Sequence, residues 1–151
     1  IRYPRGAARQ VSEHEVGEGL AARTVRAATS PQDAVGIIAI GKMLDTAERA
    51  ADVLAERGVD VTVWDARCCA PLDPEMIAGA AGHRRVVTIE DGIRDGGIGM
   101  SIACEIGELD ANVPVDVLGL PTMFLPHDPK PAHIHARVGL DVEALVAAAL
   151  R

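Results

Sequence analysis

The chain has 151 residues, 48% of them hydrophobic and 25% charged, and carries a net charge of −7. This length predicts one domain with a short attached segment, and the composition is that of a globular protein able to bury a core. The acidic balance argues against nucleic acid or an anionic membrane surface as the main partner, and no apolar run nears the roughly 18 residues a membrane span needs. No stretch reads as a signal peptide. Aromatic residues make up only 2%, so core volume must come from Val, Ile, Leu and Ala.

The chain opens at Ile1 rather than Met. Ile1 to Arg5 reads as a strand tail stopped by Pro4 and Gly6, which predicts a piece of a longer polypeptide. Ala7 to Gly19 carries Glu13, Glu15 and Glu18 and reads as a linker. Leu20 to Ala28 is open between a helix and a short edge strand, because Ala and Arg favour the first and the alternation is poor.

From Ala34 the pattern becomes regular. Ala34 to Ile40 is a near-continuous apolar strand, as expected where both sheet faces are covered. Met43 to Arg57 is an amphipathic helix with Leu44, Ala47, Ala51 and Leu54 on one face, stopped by Gly58. Val59 to Trp64 alternates as a second strand. Asp73-Pro74-Glu75 starts a short helix that ends near Gly82. Val86 to Ile89 is a β-branched third strand, with Glu90 and Asp91 expected to end it. A helix from about Gly97 to Leu109 follows, then a strand at Pro114 to Leu118. Thr122 to Pro131 is irregular, Ala132 to Val138 is a short helix, and Asp141 caps the last one. Strand-helix pairs repeated in this way predict an α/β three-layer sandwich, a mostly parallel sheet with helices on both faces.

The glycine-rich stretch Gly92, Gly96, Gly97, Gly99 lies between a strand and a helix, where α/β proteins hold cofactor phosphates. It is not the dinucleotide fingerprint, whose order and position differ, and no Gly-Lys-Ser/Thr follows as in a P-loop. Turn formation at Gly96 and Gly97 and close helix packing at Gly99 explain it better. Glu90 and Asp91 with Asp95 could form a metal or acid/base group, but neighbouring side chains on a strand point to opposite faces and need not converge, and Asp95 is expected to cap the helix. The His133-x-His135 spacing can bind metal on a strand, but on a short helix i and i+2 diverge, so these two and His127 are expected on the surface. Cys68, Cys69 and Cys104 show neither CxxC nor a zinc spacing and read as reduced, mostly buried thiols of a cytoplasmic protein. Two anion-binding candidates remain. Arg2 and Arg5, with Tyr3, flank a Pro-Gly turn and can hold a phosphate or carboxylate, or clamp a linker to surface acids. Arg67 stands after the second strand, as an anion binder or a strand-end salt bridge.

Six motifs occur in order: Arg2-Tyr3-Pro4-Arg5-Gly6, Ile40-Gly41-Lys42, Asp65-Ala66-Arg67 with Pro71-Leu72-Asp73, Glu90-Asp91 with Gly96-Gly97-Ile98-Gly99, Leu118-Gly119-Leu120-Pro121, and Gly139-Leu140-Asp141. Together they resemble the C-terminal domain of the 1-deoxyxylulose-5-phosphate synthases, a branch of the transketolase family, over almost the whole chain. The resemblance implies that residues 1–6 are the tail of a preceding pyrimidine-binding domain, 7–33 a linker with an edge strand, and 34–151 a transketolase C-terminal-like domain. It implies a cytoplasmic homodimer that joins pyruvate, with loss of CO2, to glyceraldehyde 3-phosphate. Thiamine diphosphate and Mg2+ are implied as cofactors, bound by the missing N-terminal domains of the same polypeptide. It places Arg5 at the acceptor's phosphate, with Arg2 and Tyr3 beside it. No catalytic, cofactor or metal residue is implied in this chain, which is expected to pack and assemble and to be inactive alone. Another thiamine-dependent transketolase, a pyruvate-dehydrogenase-type subunit, a free-standing binding domain and nucleotide binding at the glycine loop are the alternatives.

Overall fold

The computed structural model describes residues 10–109 and 112–151. Arg2, Tyr3 and Arg5 lie outside the described residues. Five strands form one sheet: β1 (Arg23–Arg26), β2 (Val35–Ile40), β3 (Val61–Asp65), β4 (Arg85–Ile93) and β5 (Val115–Leu120), in the spatial order β1-β3-β2-β4-β5. β2, β3, β4 and β5 are parallel; β1 runs antiparallel along β3, with Arg23 opposite Asp65 and Thr24 opposite Trp64. Of the two readings open for residues 20–28, the edge strand is therefore the one that forms.

The helices are α1 (Leu44–Glu56), α2 (Pro74–Ala81), α3 (Ile98–Glu108), α4 (Pro131–Arg137) and α5 (Val142–Ala149). Strand side chains alternate between faces, and each face has its own core. Ile37, Val63, Val87 and Ile89 pack under α1 and α5. Ile38, Trp64 and Val86 pack under α2 and α3, against Met76, Ile77, Ile102 and Ile106. This is the expected three-layer sandwich.

Local chemistry explains the element ends. At the end of α1, Gly58 has φ +74°, its N–H donates to Ala55 O, and Val59 N–H reaches back to Leu54 O at 3.0 Å. That double closure is the left-handed helix stop that glycine favours. Asp73 accepts from the amides of Glu75 and Met76 to start α2, and Asp141 accepts from Ala144 N to start α5.

Two expectations need correction. β4 does not stop at Ile89: it passes through an irregularity and pairs again, Ile93 with Leu120. Glu90 can stay in the strand because its carboxylate finds a donor on another element, described below. The cysteines are not mostly buried: Cys68 is half-buried, Cys69 and Cys104 are exposed, and all three are free. Burial and the neighbouring charges of Cys68 and Glu90 push the Cys69 thiol up, so it is a poorer nucleophile than an ordinary cysteine.

His83 is buried under α2 and ends a relay. Ala28 N–H donates to Thr62 Oγ1 at 3.1 Å, Thr62 Oγ1 lies 2.8 Å from His83 Nε2, and His83 Nδ1 lies 3.0 Å from Gly79 O. A carbonyl can only accept, so Nδ1 carries the proton and Nε2 accepts from the threonine hydroxyl. Burial holds the imidazole below the usual histidine range, against the raising effects of the Gly79 bond and of Asp60. A histidine lowered in the folded state favours the unfolded chain once protons are available. Its contribution is complete above the unfolded value of about 6.5 and is lost as pH falls through it. The urea midpoint should therefore drop between pH 7.5 and 5.5, and the drop should shrink in His83→Gln. An equal drop in that variant would assign it to other groups.

Candidate functional site

In a parallel sheet, ligands bind beyond the carboxyl ends of the strands, where neighbouring strands feed helices on opposite faces. Here that place lies between β2, which leads to α1 on one face, and β4, which leads to α3 on the other. The residues beyond the two strand ends are Gly41 to Met43, a short 3-10 turn, and the Glu90-Asp91-Gly92 stretch of β4 with the loop that follows it.

Asp91 fills this crevice. Its carboxylate takes the Lys42 ammonium at 2.5 Å on one oxygen and His135 Nε2 at 3.0 Å on the other. The irregular segment thus brings His135 from α4 onto the crevice, while His133 turns away to Asp128 at 3.2 Å and His127 is exposed. Histidines two apart on a helix diverge, as expected of this pair.

Glu90 points to the other side of the sheet. It is only 5% exposed, and its Oε1 accepts the amide of Gly99, the second residue of α3, at 2.9 Å. A carboxylate is thus already seated at the positive end of the helix. It also fills the space the glycines leave: a Cβ at Gly92 or Gly97 would stand 2.6 or 2.4 Å from its oxygens. A phosphate in this loop would have to displace a buried anion of the protein itself. The loop, placed where a cradle would be, is thus filled by the protein's own carboxylate. Gly96 turns the chain at φ +80°, and Gly99 lets α3 approach Thr88 and Val117, where a Cβ would come to 2.4 and 2.8 Å. Asp95 does not cap α3. It pairs with Arg94 at 3.0 Å and Thr122 Oγ1 at 3.4 Å, because Glu90 has taken the capping place. The Arg94 hydrogen bond and charge hold the Asp95 carboxyl below the ordinary range.

Thiamine diphosphate with Mg2+ needs a place for a diphosphate and a set of hard oxygen ligands. Among the described residues no three His, Cys, Asp or Glu side chains converge as a metal site would require, and Glu90 closes the helix terminus to phosphate. These residues do not fit the group.

Among the described residues the Arg67 guanidinium meets no carboxylate. It donates to four main-chain carbonyls of the preceding segment: Ala21 O at 2.6 Å, Glu18 O at 3.2 Å, and Gly17 O and Gly19 O at 3.3 Å. Nothing in the spacing of the sequence pointed to this, since the partners are backbone atoms 46 to 50 residues away.

Sequence reasoning also missed an apolar patch. Ile93 and Met123 are 53% and 66% exposed, and Phe124, the chain's one phenylalanine, is fully exposed. Together with Leu120 and Leu125 they line a hollow of about 390 Å3 past the end of β5. Contiguous apolar patches left in solvent mark protein or membrane contact surfaces or ligand grooves. Among the described residues, no helix is long and apolar enough to cross a membrane.

The comparisons agree with the fold. Residues 24–145 match the family model described as "Transketolase, C-terminal domain". The chain is 34% identical over 147 residues to 1-deoxy-D-xylulose-5-phosphate synthase of Thermobifida fusca (strain YX), covering 96% of the chain and 23% of that protein. It is 42% identical over 159 residues to the synthase of Anaeromyxobacter dehalogenans (strain 2CP-C), covering 98% of the chain and 24% of that protein. A solved structure titled "Split gene transketolase, inactive beta4 tetramer" superposes with a TM-score of 0.82 at 26% identity, over 96% of this chain and 46% of that one. The chain thus spans about a quarter of the length of the curated relatives it matches.

Proposed function

This chain belongs to the transketolase family, as one of its C-terminal domains, and from that premise we propose that it is the C-terminal part of a 1-deoxy-D-xylulose-5-phosphate synthase. The observation that carries the reading is 34–42% identity to such synthases over 96–98% of the chain, against 26% to the transketolase structure. In this reading the complete enzyme is a cytoplasmic homodimer. It condenses pyruvate, with loss of CO2, and glyceraldehyde 3-phosphate. Thiamine diphosphate and Mg2+ are held by domains that precede this one. The present chain packs and assembles and is inactive by itself. A domain whose strand-end crevice is filled by its own Lys42-Asp91-His135 contacts, and which still exposes Met123 and Phe124, suits that role.

The residue of this chain proposed to touch substrate is Arg5, steadying the acceptor phosphate through charge-assisted hydrogen bonds, with Arg2 and Tyr3 beside it. Two measurements test the reading. The reading frame upstream of Ile1 should encode several hundred residues with a Gly-Asp-Gly…Asn cofactor motif; translation starting near Ile1 would refute it. In the complete enzyme, Arg5→Ala should raise the acceptor's KM at least about tenfold, the scale of one lost charge-assisted bond. An unchanged KM removes Arg5 from the site.

A further inference from the structure

We propose that Cys68 and Cys69 form a soft-metal site: an adjacent pair of thiols that takes one Cu(I) ion between its two sulfurs. Solvent reaches both side chains, Cys68 being half-buried and Cys69 exposed, and both are free. They lie beyond the carboxyl end of β3, in the loop that leads to α2. The site stands whichever reaction the complete protein performs.

The backbone that carries the pair is fixed. Ala66 N–H donates to Ala39 O at 3.0 Å, Arg67 N–H to Asp65 Oδ1 at 3.2 Å, and Cys68 N–H to Ala66 O at 2.5 Å. Arg67 has φ +53°, a conformation non-glycine residues avoid unless their surroundings impose it. Cys68 Sγ turns forward along the chain, to 3.4 Å from Ala70 O. The electrostatics are those of a cation site. Burial, then the charges of Cys68 and Glu90, raise the Cys69 thiol, so the two sulfurs and the Glu90 carboxylate lie within reach of one another's fields. Arg67, the cation next in sequence, turns its guanidinium to main-chain carbonyls instead.

This setting favours one use of adjacent thiols over three others. As a nucleophile Cys69 is handicapped, because the thiolate is the reactive form and its surroundings oppose it. A disulfide within the pair would join α-carbons about 3.8 Å apart across a trans peptide, short of the usual span of about 4.4–6.8 Å. A metal ion between the sulfurs needs no such bond, and the negative field that opposes a bare thiolate favours a cation. Zn2+ asks for more ligands than two, and among the described residues no third His, Cys, Asp or Glu joins the pair. Cu(I) is soft, selects thiolates and accepts low coordination. Binding exchanges the two S–H protons for one Cu(I), releases both protons and leaves every oxidation state unchanged.

The test is an oxygen-free titration of this chain with Cu(I) against ferrozine, whose coloured Cu(I) complex reports the ion it keeps. The wild type should withdraw one equivalent. Cys68→Ser and Cys69→Ser should each weaken that affinity at least about tenfold. Cys69 is exposed, so its variant serves even if Cys68→Ser does not fold. Cys104→Ser removes a single exposed thiol on α3 and should leave the affinity unchanged. Proton release adds a second signature: the apparent affinity should rise at least about tenfold from pH 6 to pH 7. Zn2+ in about tenfold excess should leave the Cu(I) in place. No withdrawal by the wild type overturns the assignment. So does undiminished withdrawal by Cys69→Ser, a loss in Cys104→Ser as large as in Cys69→Ser, an affinity indifferent to pH, or displacement by Zn2+.

Discussion

Gly97→Ala should lower the melting temperature by about 6–12 °C, from an overpacking cost of about 3 kcal/mol at 2–4 °C per kcal/mol in a chain of this size. The cost is not conformational. Gly97 has φ −78° and ψ −178°, extended backbone open to any residue. It is steric, because an added Cβ would stand 2.1 Å from Ile93 O and 2.4 Å from Glu90 Oε1. The carbonyl belongs to β4 and cannot retreat without disturbing the Ile93–Leu120 pairing. The carboxylate cannot swing away without leaving the Gly99 amide and a buried charge unpartnered. Gly107→Ala, inside the helix that Gly97 precedes and with nothing within 4 Å of its Cβ, is the control. It should be neutral or stabilise by up to about 1 kcal/mol. Thermal unfolding followed by circular dichroism reads both. A Gly97→Ala variant that melts with the wild type would show that the loop is not packed as described.

Asp73→Ala should cost about 2 kcal/mol, the upper range for a lost N-cap, because one carboxylate performs two tasks. It starts α2 through Glu75 N and Met76 N and holds the incoming segment through Ala22 N. Asp73→Asn separates the tasks from the charge, since asparagine caps about as well as aspartate, and should lose less than half as much. Acid adds a second signature. Burial pushes the Asp73 carboxyl up, but the amides of Ala22, Glu75 and Met76 outweigh it and leave the group below the ordinary range. Stability gained from a lowered carboxyl is present above its unfolded value, about 3.9, and is lost as pH falls through that value toward the folded one. Denaturant midpoints taken from pH 6 to pH 3 should fall less steeply in Asp73→Ala than in wild type. Asp60 follows the same sign, held low by the Thr29 hydroxyl together with the amides of Ser30, Thr29 and Val61. A residual acid slope in the variant is therefore expected, and an unaltered slope would count against Asp73.

What could be read from the sequence was whatever short-range chemistry decides. The apolar run at Ala34 to Ile40, the Asp73-Pro74-Glu75 helix start and the Gly58 stop each carry their cause within a few residues, and each formed as expected. The failures share one physical origin. Glu90 looked like a strand terminator because its partner, the Gly99 amide, is nine residues ahead and becomes a neighbour only when α3 packs on the sheet. Asp95 looked like the cap for the same reason, being nearer in sequence and farther in function. Arg67 looked like an anion binder because guanidinium groups usually meet carboxylates or phosphates; here its acceptors are carbonyls, which no side-chain pattern announces. Leu20 to Ala28 stayed open between helix and edge strand because its strand owes its existence to pairing with β3 rather than to its own propensity.

The Arg67 contacts have a consequence for how freely residues 17–21, a strap held by its carbonyls, can drift during evolution. A guanidinium that reads carbonyl oxygens is indifferent to the side chains hung on them. Glu18, Leu20 and Ala21 can be exchanged for most residues without loss of grip, while Gly17 is held by the close approach of the arginine. Length is another matter. Deleting one residue moves every later carbonyl by about 3.3 Å along the strap, the full span of one of these bonds. Related chains should therefore vary widely in the letters of this segment and hardly at all in their number.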